Sequence, residues 1–217
     1  MSKPLTASAL IGAVGISAIA LTDAATVALT GETSFASDEH GVTSLYVLSG
    51  LVHVGAYVAF ALVLRGWRTQ IDGSSRFRRL VRVVLTCTLA VLAATLLIGT
   101  GVAVATGEVV DNAVFGTVAG IAFLLMFVAS LALGISMLRR PDLRLAAWTL
   151  TAIIGALGLA ILLGVIGSPW AHPAYVEVLA SFGLAFIALS PRPAEDGDGT
   201  TVRAPTTGQP RPAGKLS

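Results

Sequence analysis

Apolar residues along this chain do not alternate with polar ones; they collect in long blocks separated by short polar stretches. Six blocks stand out, at about 8–30, 43–64, 80–106, 113–138, 145–168 and 173–190. A run of about 18 or more apolar residues is what a helix needs to cross bilayer hydrocarbon. Period-two alternation is missing, which excludes a β-barrel. The pattern therefore predicts an all-α fold, a polytopic membrane protein built as a six-transmembrane-helix antiparallel bundle. Connections of about 4 to 15 residues make sequential helices neighbours and leave no room for a soluble domain. Residues 1–190 form the six-span transmembrane domain on this reading. The stretch from 191 to 217 is rich in Pro, Gly, Thr and charge and is expected to be a disordered cytoplasmic tail. The first block also has the makings of a signal peptide, with "AIA" as the cleavage site. Its apolar character runs on to Leu29, however, which favours an uncleaved span.

Composition agrees with the pattern: 55% of the residues are hydrophobic, 12% are charged, and the mean hydropathy is +0.84. Charge adds orientation. The 14 Lys and Arg residues occupy the N-terminus (Lys3), the second connection (Arg65, Arg68, Arg76, Arg78, Arg79, Arg82), the fourth (Arg139, Arg140, Arg144) and the tail (Arg192, Arg203, Arg211, Lys215). Glu32, Asp38, Glu39, Glu108 and Asp111 fall in the alternate connections. The positive-inside rule then places both termini in the cytoplasm of a cell whose plasma membrane is crossed several times. The net charge of +2 is used up as topology anchors. The implied partners are the lipid bilayer and anionic lipid headgroups at the Arg-rich loops, with no nucleic acid. The single cysteine, Cys87, can form neither an internal disulfide nor a cysteine-based zinc site.

Three ionisable residues interrupt the blocks: Asp23, His53 and Glu177. A charged group at mid-membrane costs about 2.5 to 3.5 kcal/mol on insertion scales, so each needs a polar partner or a role. In the second block Tyr46, Ser49, Gly50, His53 and Tyr57 recur at helical spacing and form one polar stripe. Asp23 shares a face with Gly12, Thr26 and Thr30, and Glu177 stands one turn from Ser181. Convergence of the three stripes would line a polar cavity open to the outside, with Asp23, Tyr46, Ser49, His53, Tyr57 and Glu177 as its ligand-binding residues. His40 and His172 read as solvated loop residues.

The primary functional reading is a non-enzymatic multi-pass protein with that outward-facing cavity. The first alternative is a small-solute or proton-coupled transporter or binder using Asp23 and His53. No nucleotide, metal or cofactor motif is present, so no cofactor is implied. "GTVAG", Gly116 to Gly120, and the pairs Gly155/Gly158 and Gly164/Gly167 read as notches for close helix packing inside the bundle.

The segment "HGVTSL", His40 to Leu45, at the entrance of the second block resembles a bacterial family of six-span membrane proteins known only as a domain of unknown function. The likeness spans residues 8–190 and implies a six-span bundle with inward termini. That family's His-Gly-x-x-His element at the fourth span reads "FGTVA" here and keeps only Gly116, so its histidines are not carried over. "SGLVH", Ser49 to His53, is similar to the Ser-x-x-x-His element of ceramidase-like membrane hydrolases, which hold a catalytic zinc. This chain lacks their later His-x-x-x-His pair and their seventh span. A membrane-embedded hydrolase is thus the second alternative.

Overall fold

The computed structural model describes residues 2–34, 38–110 and 112–190. The tail, with Arg192, Arg203, Arg211 and Lys215, lies outside the described residues, as does Asp111. Among the described residues the regular structure is entirely helical. The helices are α1 (Ser2–Thr30), α2 (Ser44–Gly66), α3 (Arg68–Asp72), α4 (Arg76–Thr106), α5 (Ala113–Met137), α6 (Arg144–Thr151), α7 (Ile153–Val165) and α8 (Ala174–Ile187). Short polar residues set several boundaries. The Thr43 hydroxyl accepts from the Tyr46 N–H, Ser75 from Arg78, and Asn112 from Val114 and Phe115, each satisfying donors that a helix start leaves open. Gly107 closes α4 at φ +74°, the left-handed conformation that terminates a helix.

Five helical segments are long and apolar enough to cross a membrane: Lys3–Thr30, Ser44–Gly66, Arg76–Thr106, Ala113–Met137 and Pro141–Val165. The sixth apolar block yields the shorter α8, of 14 residues. The fifth block, expected as one helix, is interrupted at Ala152 between α6 and α7. Just before the break, the hydroxyls of Thr149 and Thr151 donate to the carbonyls of Leu145 and Ala147. Such back-bonding loosens the helical ladder and eases a bend, although Thr86 and Thr95 make the same bond within the unbroken α4. The two pieces have different surroundings. Helix α6 buries Ala146, Ala147 and Leu150 against α5 and α8, whereas α7 buries only Ile153.

The core is layered around Trp67, Phe60, Leu64, Leu85, Leu89, Met126, Leu133 and Leu150, all under 2% exposed or at that limit. Glycine creates the closest helix approaches, though not where the GxxxG pattern placed them. A Cβ on Gly12 would lie 2.8 Å from that of Ala56, one on Gly134 would lie 2.6 Å from that of Leu150, and one on Gly183 would collide with the Leu150 side chain. Gly116, Gly120, Gly155 and Gly158 would meet nothing within 4 Å. The expectation that these four pack helices inside the bundle is corrected: all four are exposed and border open space.

Two ends of the bundle are defined by polar contacts. At one, the Thr6 hydroxyl donates to the Ala188 carbonyl, the Trp67 indole to the Ser190 carbonyl, and Gln70 to Asp142. The beginning of α1, the end of α8, α3 and the turn before α6 therefore meet there. At the other, α1 is joined through Asp23 to Ser34 and to His172, ahead of α8.

Candidate functional site

The polar stripe of α2 faces α4 and α5, where the helices enclose a partly open cavity of about 450 Å³. Tyr46, Ser49, Gly50, His53 and Tyr57 form one wall, Thr95 and Thr100 with Leu92 and Leu96 a second, and Gly120 and Phe123 a third. Glu177 reaches in from the first turn of α8. Gly50 has no side chain, and the Thr100 side chain occupies the space its Cβ would need.

Three of these residues interact directly. His53 Nε2 lies 3.5 Å from Glu177 Oε1, and the Tyr57 hydroxyl donates to the same oxygen at 3.2 Å. On its other side His53 Nδ1 lies 2.7 Å from the Ser49 carbonyl. A carbonyl only accepts, so Nδ1 must carry a proton. A neutral imidazole with its proton on Nδ1 would then turn its Nε2 lone pair towards a carboxylate oxygen, which is repulsive. The contact becomes attractive only when the pair holds one further proton, as imidazolium and carboxylate or as imidazole and carboxylic acid. His53 and Glu177 have side-chain exposures of 16% and 13%, so little water screens the pair. The edge of the His53 ring meets Tyr57 at 5.9 Å between centroids, and Tyr57 is buried.

Five of the six residues singled out in the sequence thus line one cavity, and Asp23 is not among its lining residues. Asp23 accepts from the Ser34 N–H at 3.3 Å and faces His172 Nε2, also at 3.3 Å. The Ala174 N–H donates to His172 Nδ1 at 3.2 Å, so Nδ1 is unprotonated and the ring proton sits on Nε2, aimed at Asp23. His172, expected as a solvated loop residue, is instead the partner of Asp23 in α1. His40 is exposed and engages the Thr33 carbonyl. Thr95, Thr100 and Phe123 also line the cavity and carry no signal of it in the sequence. Threonine is inexpensive inside an apolar helix because its hydroxyl bonds back to the preceding turn, as Thr95 does to Val91, and it leaves no periodic signal.

Both ring nitrogens of His53 are engaged, Nδ1 by the Ser49 carbonyl and Nε2 by Glu177. Among the described residues no three His, Cys, Asp or Glu side chains gather as a metal-ligand set. No family model, curated protein or solved structure matches this chain.

Proposed function

We propose that the chain is a six-span plasma-membrane protein with both termini cytoplasmic, and that its outer-half cavity binds a small organic cation in exchange for a proton. Several features support the topology. Arg68, Arg76, Arg78, Arg79 and Arg82 gather around α3 and the start of α4, at the end of the bundle where α1 begins and α8 finishes. The "HGVTSL" likeness to bacterial six-span proteins points the same way. Helix α8 rises about 21 Å, and the segments flanking it complete a sixth crossing in an antiparallel arrangement. Its contact with α1 along the bundle supports that count.

The observation that carries the binding reading is the proton demanded between His53 and Glu177. With that proton in place the cavity wall is neutral overall. Without it, Glu177 is a bare carboxylate opposite an imidazole lone pair, and a cation in the cavity relieves both. Among the described residues that line the cavity, Tyr46, His53, Tyr57 and Glu177 are the titratable ones, and Glu177 is the acid among them. An organic cation fits better than an inorganic one. The rings of Tyr46, Tyr57 and Phe123 with the apolar Leu92 and Leu96 give walls that receive an alkylated ammonium beside the single carboxylate.

Titration calorimetry with tetraethylammonium tests the reading on purified, detergent-solubilised protein. Affinity should rise with pH, by up to about tenfold per pH unit, with a proton released for each cation bound. Glu177→Gln should abolish binding while the protein stays folded. Binding that is flat in pH, unaffected by Glu177→Gln, or undetectable at every pH would overturn it.

A further inference from the structure

At the opposite end of the bundle, the turn from α3 into α4 holds a second cavity, of about 400 Å³, lined by Arg68, Thr69, Ser74, Arg76, Arg79 and Arg82, with Asp72 and Gly73 at its base. The guanidinium groups around this turn divide into two sets. Arg82 is spent on structure: it is buried and makes a two-pronged contact with Asp72, Nε to Oδ1 at 2.7 Å and Nη2 to Oδ2 at 2.9 Å. Arg78 donates to the carbonyls of Asp72 and Ser136, and Arg140 to the carboxylate of Asp142. Both reach over Gly73, where a Cβ would lie 2.9 Å from Arg140 and 3.0 Å from Arg78. Arg68, Arg76 and Arg79 are exposed, and among the described residues none has a carboxylate partner. The two acids at the turn, Asp72 and Asp142, are already engaged. The cavity therefore presents an uncompensated positive surface with the Thr69 and Ser74 hydroxyls beside it, suited to a phosphate group.

The helix below the cavity distinguishes a lipid from a free anion. Arg76 and Arg79 share one face of α4 with Leu80 and Val83, at spacings of three and four. Leu80 is 61% exposed and Val83 is 44% exposed, and Cys87 and Val91 extend the same exposed stripe along the helix. A phosphate held by the arginines would thus have an open apolar track leading from it towards mid-membrane, as an acyl chain requires. A soluble phosphate would make no use of that track.

We propose that this turn is a binding site for an anionic phospholipid, the headgroup phosphate held by Arg68, Arg76 and Arg79 and an acyl chain lying along Leu80, Val83 and Cys87. Native mass spectrometry of the full chain, with phosphatidylglycerol and phosphatidylcholine offered in equal amounts, reads the preference. Phosphatidylglycerol should be retained about tenfold over phosphatidylcholine, in keeping with about tenfold or more for several juxtamembrane arginines. The preference should vanish in Arg68→Gln/Arg76→Gln/Arg79→Gln. It should persist in Arg65→Gln, which removes an exposed arginine outside the cavity. Arg76→Gln/Arg79→Gln serves as the readout should the triple variant fail to fold. An unchanged preference in these variants, an equal loss in Arg65→Gln, or displacement of the lipid by millimolar inorganic phosphate would overturn the assignment, the last by making it a free-anion site.

Discussion

His172 and His53 each face a carboxylate on another helix, at 3.3 and 3.5 Å, and each has its second ring nitrogen bound to the backbone. The backbone partner makes them opposites. For His172 it is an N–H, which donates only to an unprotonated Nδ1 and leaves the ring proton on Nε2, directed at Asp23. The neutral ring satisfies every contact, and the pair works as a latch between α1 and the segment entering α8. For His53 the backbone partner is a carbonyl, which claims the ring proton for Nδ1 and leaves Nε2 without one to offer Glu177. That pair is complete only with an extra proton. Identity and spacing of the side chains are nearly the same; which backbone group lies behind the ring separates a structural contact from an exchangeable one.

Changing the exchangeable pair should have the largest effect. Glutamine in place of His53 offers Glu177 an amide donor without holding a titrating proton. His53→Gln should therefore keep tetraethylammonium binding and flatten its pH dependence, a change of about tenfold per pH unit, read by the same calorimetric titration. If His53→Gln retained the slope, the proton would reside elsewhere.

The latch should respond in stability and not in binding. His172→Leu leaves Asp23 with the Ser34 N–H and with water, since the Asp23 side chain is 34% exposed. It should cost about 1 to 2 kcal/mol, seen as a lower unfolding temperature in detergent, and leave the pH slope of cation binding intact. A shifted slope would mean that the two pairs are coupled.

The smallest effect sharpens the role of Tyr57. Its hydroxyl donates to Glu177 Oε1 and holds the carboxylate in place beside His53. Tyr57→Phe should bind the cation about fivefold more weakly at a given pH, equivalent to about 1 kcal/mol. Tighter binding would instead mark the hydroxyl as a competitor for the carboxylate.

Much of this architecture is legible as periodicity, and what is not legible depends on distances between helices. Tyr46, Ser49, His53 and Tyr57 are spaced so that one face of α2 must be polar, and they do line one cavity. The sequence leaves open which acid meets His53: Asp23 and Glu177 both lie within apolar blocks, and no pattern within a block says which neighbouring helix approaches. The choice falls to Glu177 because α8 brings its first turn to Tyr57, while the segment before α8 brings His172 to Asp23. Glycine shows the same limit. Gly116 and Gly120 match the GxxxG packing motif yet face open space, whereas Gly134 and Gly183, outside any GxxxG, both admit Leu150. A small residue permits a close approach, but a facing side chain has to use it. The break at Ala152 was hidden for a related reason, since a bent helix and a straight one share a hydropathy profile.

Nitrogen-15 spectra of histidine-labelled protein near neutral pH test the central claim most directly, because they report which ring nitrogens carry protons. His172 should show the neutral form protonated on Nε2. His53 should show Nδ1 protonated and Nε2 either protonated or in a strong hydrogen bond to Glu177, and adding tetraethylammonium should remove that second proton. A neutral His53 protonated on Nε2 alone, unmoved by the cation, would contradict the account.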